Sequence, residues 1–193
     1  MTRVQLERLT RQLPGRVYLS RIVPSGEAEF LAASRASSHF QHPWMFPPTE
    51  PEGYAVYLAR ARQSNMEFFL VRAKEDSRLC GVVNVRNIVR GNYRSAFCGH
   101  YAFAGAEGRG LMRDGLAMVV WFGFGHLGLH RLALNIQPGN HRSIAVAKKI
   151  GCKKEGFSPK LIMVNGDWRD HERWAIRAET YPGLEKAMSL EPK

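Results

Sequence analysis

A glycine-rich stretch, GAEGRGLMRDGL at 105–116, is the part of this 193-residue sequence whose residue types and spacing most suggest binding chemistry. Gly105, Gly108 and Gly110 fall within six positions, and glycine at that density is costly on folding unless something must approach the main chain closely. A strand, a glycine-rich turn and a helix in this order present free main-chain amides that can bind phosphate. The spacing G-x-x-G-x-G differs from the dinucleotide fingerprint and from the nucleotide P-loop. A turn that only packs the helix closely on the sheet therefore remains the alternative.

The elements that would position this stretch follow from the hydrophobic periodicity, which predicts a mixed α/β domain. Strands are expected at 16–23, 67–73, 79–88, 95–105 and 130–137, with a final hairpin at 158–178 around Asn165-Gly166, and helices at 25–38, 54–63, 111–127 and 141–150. Ser25 and Asn140 are the expected N-caps of the first and last helix. Because the helix at 111–127 joins two strands, we expect one parallel crossover in a mostly antiparallel sheet of about seven strands. A loose N-terminal extension is expected at 1–15, the domain itself at 16–180 and a C-terminal tail at 181–193.

Composition limits the class of protein. Hydrophobic residues make up 45% and charged residues 23%, as in ordinary folded domains. The longest apolar run, 116–124, is far too short to cross a bilayer, and the N-terminus lacks the apolar core of a secretory signal. Cys80, Cys98 and Cys152 have neither metal-ligand nor C-x-x-C spacing, which indicates reduced buried thiols. We therefore predict a cytoplasmic protein with no metal and no membrane partner.

The net charge of +11 is the compositional outlier. Such an excess favours polyanionic partners such as phosphates or nucleic acid. The basic residues are spread along the chain with no block of five or more, so a solvated basic surface is equally compatible with the sequence.

Further motifs give the glycine-rich stretch a more specific meaning. Together with it, LHRLALNIQPGNHRSIAVAKKIGCKKEGF at 129–157 and NGDWRDH at 165–171 resemble the RimJ/RimL branch of the GNAT N-acetyltransferases. The segments SHFQHPWMFPP at 38–48 and GVVNVRNIVRGNYRSAFCGHYAF at 81–103 resemble the RimJ side of that branch in particular. The resemblance covers roughly 16–180 and implies a single GNAT-like domain that uses acetyl-coenzyme A (acetyl-CoA).

The resemblance also implies where acetyl-CoA binds. The family motif places the pyrophosphate at Gly108-x-Gly110 and the pantetheine arm beside Asn140-x-x-Ser143; the cofactor-binding residues expected on this basis are Phe103, Gly108, Arg109, Gly110, Leu111, Met112, Asn140 and Ser143. Glu107 departs from the family pattern, and a carboxylate facing pyrophosphate would repel it. We expect the amides of 108–112 to bind the phosphates, so that Glu107 can point away and pair with Arg109 or Arg113.

Acetyl transfer from a thioester to an amine needs a neutral amine, a polarised carbonyl and a proton for the thiolate. A peptide α-amine, with a pKa of about 7.7 to 8.0, has a neutral fraction without a strong base, whereas a lysine amine near 10.4 needs more help. Many relatives protonate the thiolate with a tyrosine, but no tyrosine lies between 102 and 180, so Ser143 or water is the expected acid. The alternative for Ser143 is a first-turn serine that bonds helix amides.

The proton acceptor and the carbonyl-polarising group are less defined. The carboxylate of RimL-type enzymes is replaced here by Ile162, which leaves His100, Glu155 or water as the base. By the same resemblance, a main-chain amide within 98–103 would polarise the carbonyl.

The proline-rich loop after the first helix would line the acceptor groove in the family, with His39, Trp44 and Phe46 as substrate-binding residues. For Trp44 the alternative is that its ring covers the sheet edge. The expected function is transfer of acetyl from acetyl-CoA to the N-terminal α-amine of a ribosomal protein, with ribosome or RNA contact through the basic surface. Acetylation of a small amine such as an antibiotic or amino acid, and a non-catalytic RNA- or ribosome-binding module, are the alternatives.

Overall fold

The computed structural model describes residues 1–189, which form a seven-stranded sheet with helices on both faces. The strands are β1 Val17–Arg21, β2 Glu67–Ala73, β3 Leu79–Val89, β4 Ser95–Ala102, β5 Arg131–Ile136, β6 Lys153–Val164 and β7 Asp167–Arg177. The helices are α1 Arg3–Gln12, α2 Glu27–Gln41, α3 Pro51–Ala61, α4 Leu111–Gly125, α5 His141–Lys149 and α6 Leu184–Ser189.

The strand order is β1-β2-β3-β4-β5-β7-β6. Every neighbouring pair is antiparallel except β4 and β5, which run parallel because α4 carries the chain back across the sheet between them. This confirms the expected mostly antiparallel sheet with one crossover. The hairpin at Asn165-Gly166 is also confirmed, and both turn residues take the positive φ that this turn requires.

Two separate apolar layers cover the sheet. On one face, which we call the α4 face, Leu6, Leu116, Ala147 and Leu184 bring α1, α4, α5 and α6 into one core with Leu134 of β5. On the other, the α2 face, α2 and α3 pack through Phe30 and Tyr54 against Phe68, Val82 and Tyr101. Side chains that alternate along β4 therefore face different layers, which decides what each of them can contact.

The N-terminal segment differs from the expectation of a loose extension. It forms α1, closed by a capping box between Thr2 and Gln5, and Leu6 is fully buried against the sheet. The buried Thr10 hydroxyl accepts from the Leu19 amide at 3.0 Å, so the helix is tied to β1 by a contact that its polar composition did not reveal.

The ends of other helices and strands also differ from the expected ones. Ser25 is not the N-cap of α2, because Pro24–Gly26 form a 3₁₀ turn and Gly26 precedes the helix without a side-chain cap. α3 begins at Pro51, whose fixed φ suits the first turn of a helix. β6 starts at Lys153, before the expected 158. Of the expected tail, 184–189 form α6, and 190–193 lie outside the described residues.

Candidate active site

A gap opens between the two parallel strands. β4 and β5 pair only from Ser95–Arg131 to Phe97–Ala133, although β4 continues to Ala102 and β5 to Ile136. Beyond the last pair the two strand edges face each other without bonding. A ligand that enters this β4–β5 gap meets main-chain groups that are not used in the sheet.

The edge of β4 that faces the gap follows from its register with β3. The Phe103 amide donates to the Cys80 carbonyl at 2.8 Å, and main-chain groups in an antiparallel pair alternate between bonded and outward positions. Those of Cys98, His100 and Ala102 therefore face away from β3, and Gln41 Nε2 of α2 donates to the Ala102 carbonyl at 2.7 Å. The His100 amide is the first of this set beyond the last parallel pair. It can donate to a carbonyl oxygen placed in the gap.

The glycine turn (residues 105–110) lies where β4 leads into α4. Gly105, Gly108 and Gly110 have φ of 81°, 72° and 74°, a left-handed conformation that glycine adopts without steric cost. The amides of 107–113 donate to no group of residues 1–189, and the first bond of the helix runs from the Asp114 amide to the Gly110 carbonyl at 3.2 Å. The positive end of α4 thus presents a set of open donors, as an anion such as pyrophosphate requires.

A basic cavity of about 250 Å³ adjoins the glycine turn. It is lined by Gly15, Arg16, Ala73, Lys74, Glu75, Arg78, Arg109 and Leu111. Two of its cations hold the turn from outside: Arg16 donates to the Arg109 carbonyl at 2.7 Å and Arg78 to the Gly105 carbonyl at 3.0 Å. The carbonyls are thereby directed at the arginines, and the field around the open amides is positive.

The expected partners of Glu107 are engaged elsewhere. Arg113 pairs with Asp114 at 3.4 Å, and the Arg109 guanidinium donates to the Gly105 carbonyl at 3.4 Å. Within residues 1–189 Glu107 has no ion pair, and its side chain is exposed. The expected ion pair was wrong, because Asp114 is the acid nearer to Arg113.

Asn140 caps α5 as predicted, since its side-chain oxygen accepts from the Ser143 amide at 3.2 Å. The Ser143 hydroxyl is partly exposed and bonds to no group of the described chain, so the alternative in which it bonds helix amides is not seen. A hydroxyl at the first turn of α5, on the same side of the sheet as the α4 terminus, is free for a ligand in the gap.

The two candidate bases are poorly suited to accept a proton. The His100 side chain faces the α4 layer, its Nε2 is buried without a partner, and burial lowers its pKa to about 4. Glu155 forms a bidentate pair with Arg131, and that hydrogen bond lowers the pKa of its carboxyl. Their predicted roles remain predictions.

Three further cofactor candidates have side chains that are buried in the protein core. The Phe103 ring packs edge-on against Phe30 at 5.4 Å, and its amide and carbonyl are taken by Cys80 and Ala106. Leu111 and Met112 bury their side chains in the α4 layer, which leaves their amides at the open end of the helix.

The proline-rich loop spans the mouth of the gap. Its Trp44 carbonyl accepts from Gln137 Nε2 at 3.1 Å, and the Trp44 ring lies so close to Gly139 that an added Cβ would stand 2.8 Å away. Trp44 therefore connects the end of α2 with the turn before Asn140, rather than only covering a sheet edge. Phe46 stacks on His42 with 4.3 Å between centroids and is partly exposed.

His39 stands apart from this group. It packs edge-on against Phe40 at 5.0 Å.

A polar cluster on the α2 face was missed by the sequence reasoning. The Tyr57 hydroxyl lies 2.9 Å from Asn84 Oδ1 and 3.2 Å from the Tyr101 hydroxyl, and burial raises the pKa of Tyr57 to about 12. Both tyrosines are neutral hydroxyl groups at physiological pH. The alternation of β3 and β4, which puts Asn84, Arg86, Gly99 and Tyr101 on one face, was the signal that could have revealed the cluster.

The geometry agrees with similarity to known proteins. The sequence profile described as "Acetyltransferase (GNAT) domain" matches residues 16–153, more than half of the chain. The chain belongs to the GNAT acetyltransferases. It is 34% identical over 120 residues to the probable N-acetyltransferase YjcK of Bacillus subtilis (strain 168), covering 62% of this chain and 66% of that protein.

Two further GNAT relatives carry more specific names. The [ribosomal protein uS5]-alanine N-acetyltransferase of Escherichia coli (strain K12) is 28% identical over 157 residues, 77% of this chain and 79% of that protein. The structure of Mycobacterium smegmatis RimJ in complex with CoA-disulfide superposes with a TM-score of 0.80 at 27% identity, covering 89% of this chain and 87% of that one. The protein is therefore an acetyl-CoA-dependent N-acetyltransferase, and its open amides and basic cavity fit the phosphates of that co-substrate.

Two findings concern other classes of site in this GNAT chain. Within residues 1–189 no three His, Cys, Asp or Glu side chains come together as metal ligands, and no helix is long and apolar enough to span a bilayer. Cys80, Cys98 and Cys152 are buried free thiols, as predicted, and burial raises the pKa of each.

Proposed function

We propose that the enzyme acetylates the N-terminal α-amine of a ribosomal protein. The observation that carries this is a gap reached from both faces of the sheet: open amides of α4 lie on one face, and the Trp44 loop with the Tyr57–Tyr101 cluster lies on the other. Acetyl-CoA would enter from the α4 face and the acceptor from the α2 face. The similarity to an enzyme named for alanine of ribosomal protein uS5 supports the choice of acceptor.

The reaction assigns a role to few side chains. The neutral amine attacks the thioester carbonyl carbon, and the oxyanion accepts a hydrogen bond from the His100 amide in the gap. When the carbon–sulfur bond breaks, the thiolate takes a proton from the Ser143 hydroxyl, which is re-protonated from solvent, or from water directly. The proton lost by the amine passes to solvent, which is sufficient for an α-amine because its pKa is about 7.7 to 8.0.

The charges of the chain favour a peptide terminus over a polyamine as the acceptor. Glu155 of β6 and Glu172 of β7 are already paired with Arg131 and Lys154. A polycation would find these acids neutralised and would meet a basic surface. A peptide that has a single amine is not repelled by the basic surface in the way that a polycation is.

The basic surface and the buried thiols belong to the same proposal. A net charge of +11 supports contact with ribosomal RNA phosphates, and the three free cysteines support a cytoplasmic location. Affinity for ribosomal particles should then fall steeply with salt, with a slope set by the number of phosphate contacts. A salt-independent affinity would argue against the RNA contact alone.

The test is incubation with acetyl-CoA and ribosomal proteins or peptides with a small first residue, followed by mass spectrometry. Acetyl groups on the α-amine are expected. Acetylation mainly of lysine side chains, or of small amines only, would refute the N-terminal acceptor. Binding to ribosomes with no turnover on any amine would favour the non-catalytic alternative.

A further inference from the structure

Arg86 of β3 is a cation without a partner on the acceptor side of the gap. No carboxylate within residues 1–189 pairs with it, and its Nε is buried without a hydrogen bond. Burial of an unsatisfied charged donor is costly, so its retention calls for a ligand.

The position of Arg86 relates it to the reacting centre. It is the cross-strand neighbour of Phe97, the last residue of β4 that pairs with β5. Its guanidinium reaches over Gly99, where an added Cβ would lie 3.5 Å from a terminal nitrogen. Gly99 precedes His100, whose amide faces the gap, so the cation lies over the point where the strands begin to separate.

The groups around Arg86 are polar but neutral. Tyr57, Asn84 and Tyr101 share the α2 face with it and bond to one another, and none supplies a negative charge. Their mutual bonds leave the guanidinium as the group with unused donors. A planar guanidinium with free donors binds a carboxylate in two parallel hydrogen bonds.

We propose that Arg86 binds a carboxylate of the acceptor, namely an acidic side chain within the first residues of the peptide that follow the acetylated amine. This rests on the proposed acetylation of a peptide terminus. The amine then lies in the gap beside the His100 amide while the peptide leaves over the α2 face. Arg86 selects acceptors there by the charge of a neighbouring residue.

The experiment compares two peptides that differ only in Glu or Gln at the second position, each with Ala first. We expect the wild-type enzyme to prefer the Glu peptide by about tenfold or more in kcat/KM, as for a hydrogen bond between charged groups. Arg86→Gln should remove the preference, and Arg86→Lys should keep part of it. Arg90→Gln removes the same charge just after the end of β3, on the side away from the gap, and should leave the preference intact.

Calorimetry with both peptides and the CoA-bound enzyme provides a reading that needs no turnover, and circular dichroism checks that each variant folds. Equal rates and equal affinities for the two peptides would overturn the inference, and so would a preference that survives Arg86→Gln. In either case, acetylation of the peptide α-amine would still support the proposed function. If alanine is acetylated, alaninamide is not, and Arg86→Gln abolishes the difference, Arg86 binds the carboxylate of a free amino acid. That result would keep the carboxylate contact and overturn the peptide acceptor.

Discussion

Arg16 and Asp114, 98 positions apart, form an ion pair behind the glycine turn, with Arg16 Nε 2.9 Å from Asp114 Oδ2. Only 2% of the Asp114 side chain is exposed, and Arg16 also donates to the Arg109 carbonyl. The acid thus fixes the guanidinium that orients the turn. The pair joins the N-terminal segment to the site where the phosphates of acetyl-CoA are expected to bind.

Asp114→Asn should therefore weaken both the fold and co-substrate binding. Because Arg16 is half exposed, we expect the free energy of unfolding to fall by only about 1–2 kcal/mol, less than for a fully buried pair. The Kd for CoA should rise several-fold, since the turn loses its outer support. Urea denaturation and calorimetry measure the two effects. Asp167→Asn, which breaks an exposed pair with Arg169, is the control and should change stability by less than about 0.5 kcal/mol.

Gly110→Val should abolish CoA binding and leave the fold recognisable. The structure supplies a reason beyond an occupied phosphate site: a Cβ would stand 2.8 Å from a terminal nitrogen of Arg16, and φ at this position is +74°. The backbone strain alone costs about 1–3 kcal/mol. Gly128→Val has similar strain at φ +64° with no atom within 4 Å and lies at the other end of α4, so it should lose stability but keep CoA affinity. Equal CoA affinities in the two variants would make the turn a packing feature only.

Ser143→Ala should lower kcat by about 10²-fold if its hydroxyl protonates the thiolate, while CoA affinity changes little. The backbone cap should persist, because Asn140 bonds to the Ser143 amide and not to its hydroxyl. Ser143→Thr keeps a hydroxyl and is the matched variant, with activity near the parent. If kcat of Ser143→Ala falls by less than about threefold, the loss is smaller than general acid catalysis contributes, and the proton must come from water.

His100 should make stability depend on pH. Its folded pKa, about 4, is below the ordinary value of 6.5, so the unfolded chain binds the proton more readily. The contribution of the neutral His100 imidazole to the free energy of unfolding is complete above about pH 6.5. It is lost as the pH falls toward 4, by up to about 3 kcal/mol. His100→Gln should flatten this part of the curve of unfolding free energy against pH. His141→Gln, at an exposed position, is the control for loss of an imidazole. A curve unaltered by His100→Gln would contradict the lowered pKa of His100.

Trp44→Ala should raise KM for a peptide acceptor by about tenfold, because an aromatic contact of this size contributes on the order of 1–2 kcal/mol. Its ring reaches Gly139 at the mouth of the gap, away from the glycine turn, so CoA affinity should stay within about threefold. Tyr93→Ala removes an exposed ring at the opposite end of β4 and should change neither quantity. An unchanged peptide KM in Trp44→Ala would leave the ring with a structural role alone.

Local sequence patterns predicted most of the architecture. Period-two apolar runs predicted β2, β3 and β4, Asn165-Gly166 predicted the last hairpin, and Asn140 predicted the start of α5. Such features depend on residue types a few positions apart, so they can be predicted from the sequence. The glycine turn and its open amides belong to this group, because positive φ before a helix is a local requirement.

Contacts between distant residues were decided only by the tertiary structure. Arg16 pairs with Asp114, 98 positions away, and α1 packs through Leu6 instead of trailing loosely. Whether a charge finds a partner, or Nε2 of His100 lies buried, depends on which elements the sheet brings together. The gap itself is such a property, since β4 and β5 each look like ordinary strands until the crossover sets where their pairing ends.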